Sequence, residues 1–240
     1  MKYKTCVVIA EKNPKKLSTV VKNALKKSDF AEIRFDFLKP KDVPIALELI
    51  KKQLTKCICT LRPKNEGGKF VGSENERKSI IKLIAEYSPF LLDIEFNALQ
   101  KDKKFLKDVK NSKTKILVSW HDFKKTPKLE NLSRKFRNMK KFSNYVKIVT
   151  TAKTVNDAVR ILSLYNNVSK INLIAFSMGE DARFTRILSL HMGSPFAYVS
   201  LGKPVAPGQF SLDEIRSISW IVIVKLKQQE QMLYQSLWKK

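Results

Sequence analysis

Two stretches near the middle of the chain decide its fold: Val118-Ser-Trp-His-Asp-Phe123 and Tyr145-Val-Lys-Ile-Val149. Each begins as a short apolar run, the pattern of a strand buried in parallel sheet. Each places one reactive side chain at or near the end of that run, His121 in the first and Lys147 in the second. Parallel barrel enzymes carry their chemistry at the C-terminal ends of strands. A histidine on one strand and a lysine on the next make a proton shuttle and an amine nucleophile.

Outward from this pair the chain alternates. Strands are expected at 5–10, 31–37, 56–62, 90–96, 115–121, 145–150, 171–176 and 195–201. Helices are expected at 14–27, 41–54, 74–87, 102–110, 127–139, 154–165, 181–191 and from 211 onward. Asn13 before Pro14 is a helix start, and Ser73 with Glu76 three positions on has the capping-box spacing. Strict alternation over this length predicts a (β/α)8 TIM barrel, a single domain over residues 1–240. The alternative, a doubly wound open sheet, lacks a Gly-rich dinucleotide loop after the first strand. Beyond 219, Ile221-Val-Ile-Val224 has a strand pattern, but its position favours a continuing helix.

Composition narrows the class. With 43% hydrophobic residues the chain is too apolar to be disordered. No apolar run approaches the roughly 18 residues of a membrane span. The N-terminal run is too short for a signal peptide and lacks a cleavage site, so the expected location is the cytoplasm. Cys6, Cys57 and Cys59 are odd in number and form no CxxC pair, so they read as reduced packing residues. The formal charge is +25, from 47 Lys and Arg against 22 Asp and Glu. The lysines are scattered and form no basic tail, so no specific nucleic-acid site is expected.

Polar residues inside strands carry the rest. Period-two alternation puts Glu32, Arg34 and Asp36 on one face of their strand, and Asp93 and Glu95 on one face of theirs. The plain reading of the first is an edge strand with a solvated face, and of the second an ion pair with the arginines. Arg62 ends a strand, and Glu66 precedes Gly67-Gly68, a sharp turn. Lys147 stands out among the lysines because an unpaired ammonium inside an apolar strand is costly. Two isolated histidines, His121 and His191, give no metal-binding spacing.

Glu32-Ile-Arg34-Phe-Asp36, Arg62…Glu66-Gly-Gly68, Ser119-Trp-His121-Asp-Phe123, Thr126-Pro127, Val146-Lys147-Ile148, Thr185-Arg186, Gly193-Ser194 and Ala206-Pro-Gly-Gln209 occur in this order. The ordered set, from the first strand to about Arg216, resembles type I 3-dehydroquinate dehydratase, the third enzyme of the shikimate pathway. The resemblance implies a barrel and a metal-free, cofactor-free dehydration of 3-dehydroquinate. Lys147 would form an imine with the substrate ketone, with burial and the cations Arg34 and Arg62 lowering its pKa. His121 would move the proton. Glu66 would orient His121 and favour its protonated form. Arg186 would take the substrate carboxylate, Glu32, Arg34 and Arg62 the hydroxyls and ring, and Gln209 would close over the site.

The family usually has Gly where Ala182 stands and Ser where Thr185 stands, and many members have Ser where Val205 stands. The last change removes one hydroxyl contact; none touches the imine chemistry. A homodimer is compatible with this reading, and no membrane partner is expected. Two rivals remain: another Schiff-base barrel enzyme, such as a class I aldolase or transaldolase, and a non-enzymatic nucleic-acid-binding protein suggested by charge alone.

Overall fold

Alternation along each strand produces two faces, and the fold uses both. The computed structural model describes residues 3–218, apart from 113 and 203. The expectation for the tail, including Ile221–Val224, lies outside the described residues.

The strands are β1 (Thr5–Ile9), β2 (Phe30–Arg34), β3 (Cys57–Thr60), β4 (Leu91–Glu95), β5 (Ile116–Asp122), β6 (Tyr145–Thr151), β7 (Asn172–Met178), β8 (Ala197–Ser200) and the short β9 (Phe210–Ser211). The helices are α1 (Pro14–Lys27), α2 (Val43–Ile50), α3 (Glu74–Glu86), α4 (Phe96–Lys101), α5 (Lys103–Asn111), α6 (Leu129–Met139), α7 (Val155–Leu162) and α8 (Thr185–His191). Residues 212–218 are helical. All strand pairs are parallel, in the order β7-β6-β5-β4-β3-β2-β1-β8-β9. Each of the eight expected strands is present, and the first pairs with the eighth, as a (β/α)8 barrel requires. Among the described residues no backbone ladder joins β7 to β8. Across that seam the inward side chains Ile174, Phe176, Phe196 and Tyr198 belong to one packed cluster.

The inner cluster also holds Cys6, Ile58, Leu91 and Leu117, every second residue of their strands. Near the N-terminal strand ends Phe30 stacks on Phe90, ring centroids 4.6 Å apart. This aromatic layer floors the barrel and leaves its polar residues toward the C-terminal ends. The outward faces pack against the helices: Val7, Ile33, Cys59, Ile94 and Ile148 meet Leu17, Leu47, Ile81 and Leu132 in one continuous core. Leu17 and Leu47 are fully buried, each contributing about 1.5–3 kcal/mol by leaving water. Cys57 and Cys59 lie on this outer face, buried and unpaired, as packing residues.

Several helix boundaries differ from expectation. The segment 41–54 is split into α2 and flanking 3-10 turns, Pro40–Asp42 and Lys51–Lys56. Pro44 has no N–H to donate backward, so the α-helix can start only around it. The segment 181–191 is α-helical only from Thr185, after a 3-10 turn at Glu180–Ala182; the Thr185 hydroxyl donates to Ala182 O (2.7 Å) and accepts from Ser177 N (3.1 Å). Those bonds tie the turn to β7 in place of a longer helix. An unexpected α4 precedes α5, which Asp102 caps by accepting from Phe105 N at 2.9 Å. The strand expected at 31–37 ends at Arg34 and turns through Phe35–Phe37. No described helix is long and apolar enough to cross a membrane.

Candidate active site

The C-terminal strand ends surround a cavity of about 210 Å³. All eight residues expected at the site line it: Glu32, Arg34, Arg62, Glu66, His121, Lys147, Arg186 and Gln209. Register explains the central pair. Lys147 of β6 sits beside Ser119 of β5, and His121 beside Val149. Both project inward, with His121 one inward position closer to the strand ends.

Lys147 is 6% exposed, and its Nζ lies 3.5 Å from Glu32 Oε1 and 3.6 Å from Asp93 Oδ2. The expected cation neighbours are not its close partners. Arg34 is turned to Asp36, donating from Nε at 2.8 Å and from a terminal nitrogen at 2.7 Å, a bidentate clamp made possible by the turn after Arg34. Asp36 also accepts from Lys69 N at 2.9 Å, tying the glycine loop to β2.

Arg62 donates to Asp93, Glu95 and the Ser119 hydroxyl, each at 2.7 Å. Glu95 also accepts from Arg77 at 2.7 Å, and Arg77 reaches outward to Glu74 at 2.9 Å. Charges with no water to solvate them must be paired, and this chain of pairs runs from the α3 surface to Lys147. It confirms the ion-pair reading of Asp93 and Glu95. Burial alone would raise the Asp93 pKa, but Arg62 and then Lys147 hold it below the usual carboxylate range.

Gly67 and Gly68 place Glu66. Gly67 has φ +76°, and a Cβ there would meet the Phe123 ring at 2.4 Å. A Cβ on Gly68 would sit 1.9 Å from Arg62 O, so only glycine permits this turn. Glu66 Oε2 lies 3.6 Å from His121 Nδ1, too long for a hydrogen bond. Burial, reinforced by Glu95 against the pull of Arg62, pushes Glu66 up to about 7. Burial first, then Arg62, Lys147 and Arg34, push His121 well below the usual imidazole value. Both effects favour the neutral imidazole, the form able to accept a proton.

Arg186, on the first turn of α8, lies over the Phe176 ring, 4.2 Å from its centroid, and donates to Pro207 O at 3.1 Å. No carboxylate faces it among the described residues. Burial, then Arg183, pushes its guanidinium down to about 10. Gln209 is buried, its Oε1 accepting from Val205 N at 2.9 Å, so it folds its own loop over the cavity. Val205 lines the cavity with an apolar side chain.

Sequence reasoning passed over two residues. Tyr198 of β8 lies with its ring centroid 4.0 Å from Lys147 Nζ; inward alternation on β8 is the signal that marks it. Nothing in the sequence marks Arg77 on α3, yet it is 2% exposed.

Comparison with known proteins identifies the family. The type I 3-dehydroquinase family matches residues 5–222. A 3-dehydroquinate dehydratase of Methanococcus maripaludis is 34% identical over 220 residues, covering 89% of this chain and 97% of its own. That of Pyrococcus abyssi is 36% identical over 208 residues, covering 84% and 94%. Among solved structures, the type I 3-dehydroquinate dehydratase of Clostridium difficile, carrying covalently modified comenic acid, superposes with TM-score 0.81 at 25% identity over 92% of both chains. The Geobacillus kaustophilus 3-dehydroquinate dehydratase shares the fold at TM-score 0.84 and 21% identity, over 93% of this chain and 92% of its own. The family match along nearly the whole chain and the relatives at 34% and 36% identity over most of both chains agree: this chain belongs to the type I 3-dehydroquinase family.

Proposed function

We propose that this hydro-lyase converts 3-dehydroquinate to 3-dehydroshikimate through an imine on Lys147, at the third step of the shikimate pathway. The observation that carries the reading is one cavity holding a buried amine, a neutral imidazole on the neighbouring strand, and a guanidinium without a carboxylate partner.

The substrate carboxylate pairs with Arg186, whose planar fork suits it. This sets the ring against β6. Lys147, giving up a proton, attacks the C3 carbonyl, and loss of water from the adduct gives a protonated imine. The imine draws electrons from C2. His121 takes the C2 proton, and the electron pair moves into the C2–C3 bond as the nitrogen becomes an enamine nitrogen. The enamine expels the C1 hydroxyl, which takes the proton back from His121 and leaves as water. Hydrolysis of the conjugated imine frees 3-dehydroshikimate and restores Lys147. The net change is loss of one water, with no redox step.

Neutral His121 is suited to the first proton transfer, and the charged imidazolium it becomes is next to Glu66. Glu66 thus acts on the protonated intermediate rather than the resting enzyme. Glu32, Arg34 and Arg62 hold the substrate hydroxyls and the ring side nearest the imine, and Gln209 closes the cavity after binding.

Borohydride tests the reading. With 3-dehydroquinate present it should reduce the imine to a secondary amine and inactivate the enzyme, the added mass mapping to the peptide containing Lys147. Exposed lysines stay protonated near pKa 10.4 and react little. Lys147→Ala should abolish trapping and formation of the conjugated enone. Dehydration that persists in Lys147→Ala would refute the covalent route, and trapping on another lysine would move the site.

A further inference from the structure

The mechanism above leaves a buried aromatic side chain at the reacting nitrogen unused. Tyr198 is 8% exposed, and Phe196 packs edge-on against its ring at 5.4 Å, holding its plane. The Lys147 ammonium lies over that ring, 4.0 Å from the centroid. The Tyr198 hydroxyl is buried without a hydrogen-bond partner among the described residues. A buried phenol usually finds a partner for its hydroxyl, so the ring, rather than the hydroxyl, is what this position uses.

The face of an aromatic ring attracts a cation and needs no directed N–H to do so. That difference matters once the imine forms. An ammonium has three N–H groups to share between Glu32 and Asp93, whereas a protonated imine nitrogen retains one. It can serve one carboxylate, while its attraction to the ring face persists. We propose that the Tyr198 ring stabilises the protonated imine on Lys147, a part in the reaction beyond the roles assigned above. The proposal rests on the imine reading. The neutral adduct and the enamine gain little from the ring, so among the covalent species it favours the charged imine.

The test replaces Tyr198 in the full-length enzyme by phenylalanine and then by a series carrying one, two and three ring fluorines. These keep the shape of the ring while progressively weakening the negative potential of its face. We expect Tyr198→Phe to retain kcat within about two-fold. Across the fluorinated series kcat, and the fraction of enzyme trapped by borohydride at saturating 3-dehydroquinate, should fall stepwise, by roughly three- to thirty-fold in all. Tyr198→Leu, checked for folding by circular dichroism, should show a loss of similar size. A flat series overturns the proposal, as does a Tyr198→Phe enzyme as impaired as Tyr198→Leu, which would make the hydroxyl the functional group. If the parent enzyme forms no imine, the imine reading and this proposal fall together. If it does and the series is flat, this proposal falls alone.

Discussion

Replacing Arg186 by methionine should stabilise the protein while impairing the enzyme. Methionine keeps an unbranched side chain on the Phe176 ring but removes the charge. The free enzyme holds that charge at a cost. Burial, then Arg183, lowers the guanidinium well below its usual value, to about 10, which at about 1.36 kcal/mol per pKa unit is roughly 3 kcal/mol. The folded value lies below the unfolded one, so the penalty is fully present below about pH 10 and lifts only as pH rises from there toward the unfolded value. Throughout the neutral range Arg186→Met should therefore recover up to roughly 3 kcal/mol, less what is lost with the bond to Pro207 O, about 1.5–3 kcal/mol at most. The net expectation is a gain of about 0–2 kcal/mol, and each kcal/mol is about 2–4 °C in Tm for a chain of this size. Activity should move the other way. Losing one partner of a buried charge pair costs about 2–5 kcal/mol, so kcat/KM for 3-dehydroquinate should fall by at least about thirty-fold, mostly through KM. Calorimetry and the enone absorbance assay measure the two effects on the same preparation. A variant that is markedly less stable yet binds substrate normally would refute the reasoning, because Arg186 would then be a structural residue.

Other expectations follow from the same site. His121→Ala should lose nearly all turnover yet still be trapped by borohydride, since attachment belongs to Lys147; near-normal turnover would remove His121 from the mechanism. Glu66 has a folded pKa of about 7, raised above its usual 4.5, so its charge destabilises the fold increasingly from pH 4.5 and fully above about 7. Glu66→Gln should accordingly gain stability over the parent between pH 4.5 and 8, by up to roughly 3 kcal/mol, as urea unfolding would show; an unchanged difference across that range would count against the assignment. Binding of duplex DNA, driven by the charge of +25, should be sequence-independent and fade steeply with salt, and selective binding at physiological salt would point to a second function.

Much of this site was legible because alternation on a strand is a strong constraint. Lys147 and His121 occupy inward positions of neighbouring strands, and the same period places Glu32 and Asp93 beside the lysine. What escaped lies where the period stops. The expected strand through Asp36 breaks at Arg34, and only that break lets Asp36 clamp the guanidinium. Arg77 sits on α3, where one charged residue in a charged sequence carries no sign that its side chain reaches in to Glu95. The close partners of Lys147 were hidden for a related reason. Arg62 is near in the chain of pairs, but Asp93 and Glu95 absorb its charge at 2.7 Å. Which of several buried cations is already paired depends on three strands at once, and no single strand records it.

The pairing pattern also separates the parts of the site that serve folding from those that serve the reaction. From Glu74 through Arg77, Glu95, Arg62 and Asp93 every buried charge has close partners, the condition under which buried charges are tolerated. The unpaired atoms fall elsewhere. Among the described residues the buried side-chain atoms without hydrogen-bond partners are Glu66 Oε2, His121 Nδ1, Arg186 Nε and the Tyr198 hydroxyl. All four residues line the same cavity. Leaving such a group unsatisfied costs about 1–3 kcal/mol, and a fold able to pair four buried charges in sequence has the means to pair these as well. Concentrating that cost around one cavity is intelligible if a molecule that enters supplies what is missing: a carboxylate for Arg186, and a proton for His121 that draws it toward Glu66. Substrate should therefore tighten this region more than any other. Its binding energy is then spent on groups whose charge changes during the reaction, where it lowers the barrier rather than merely raising affinity.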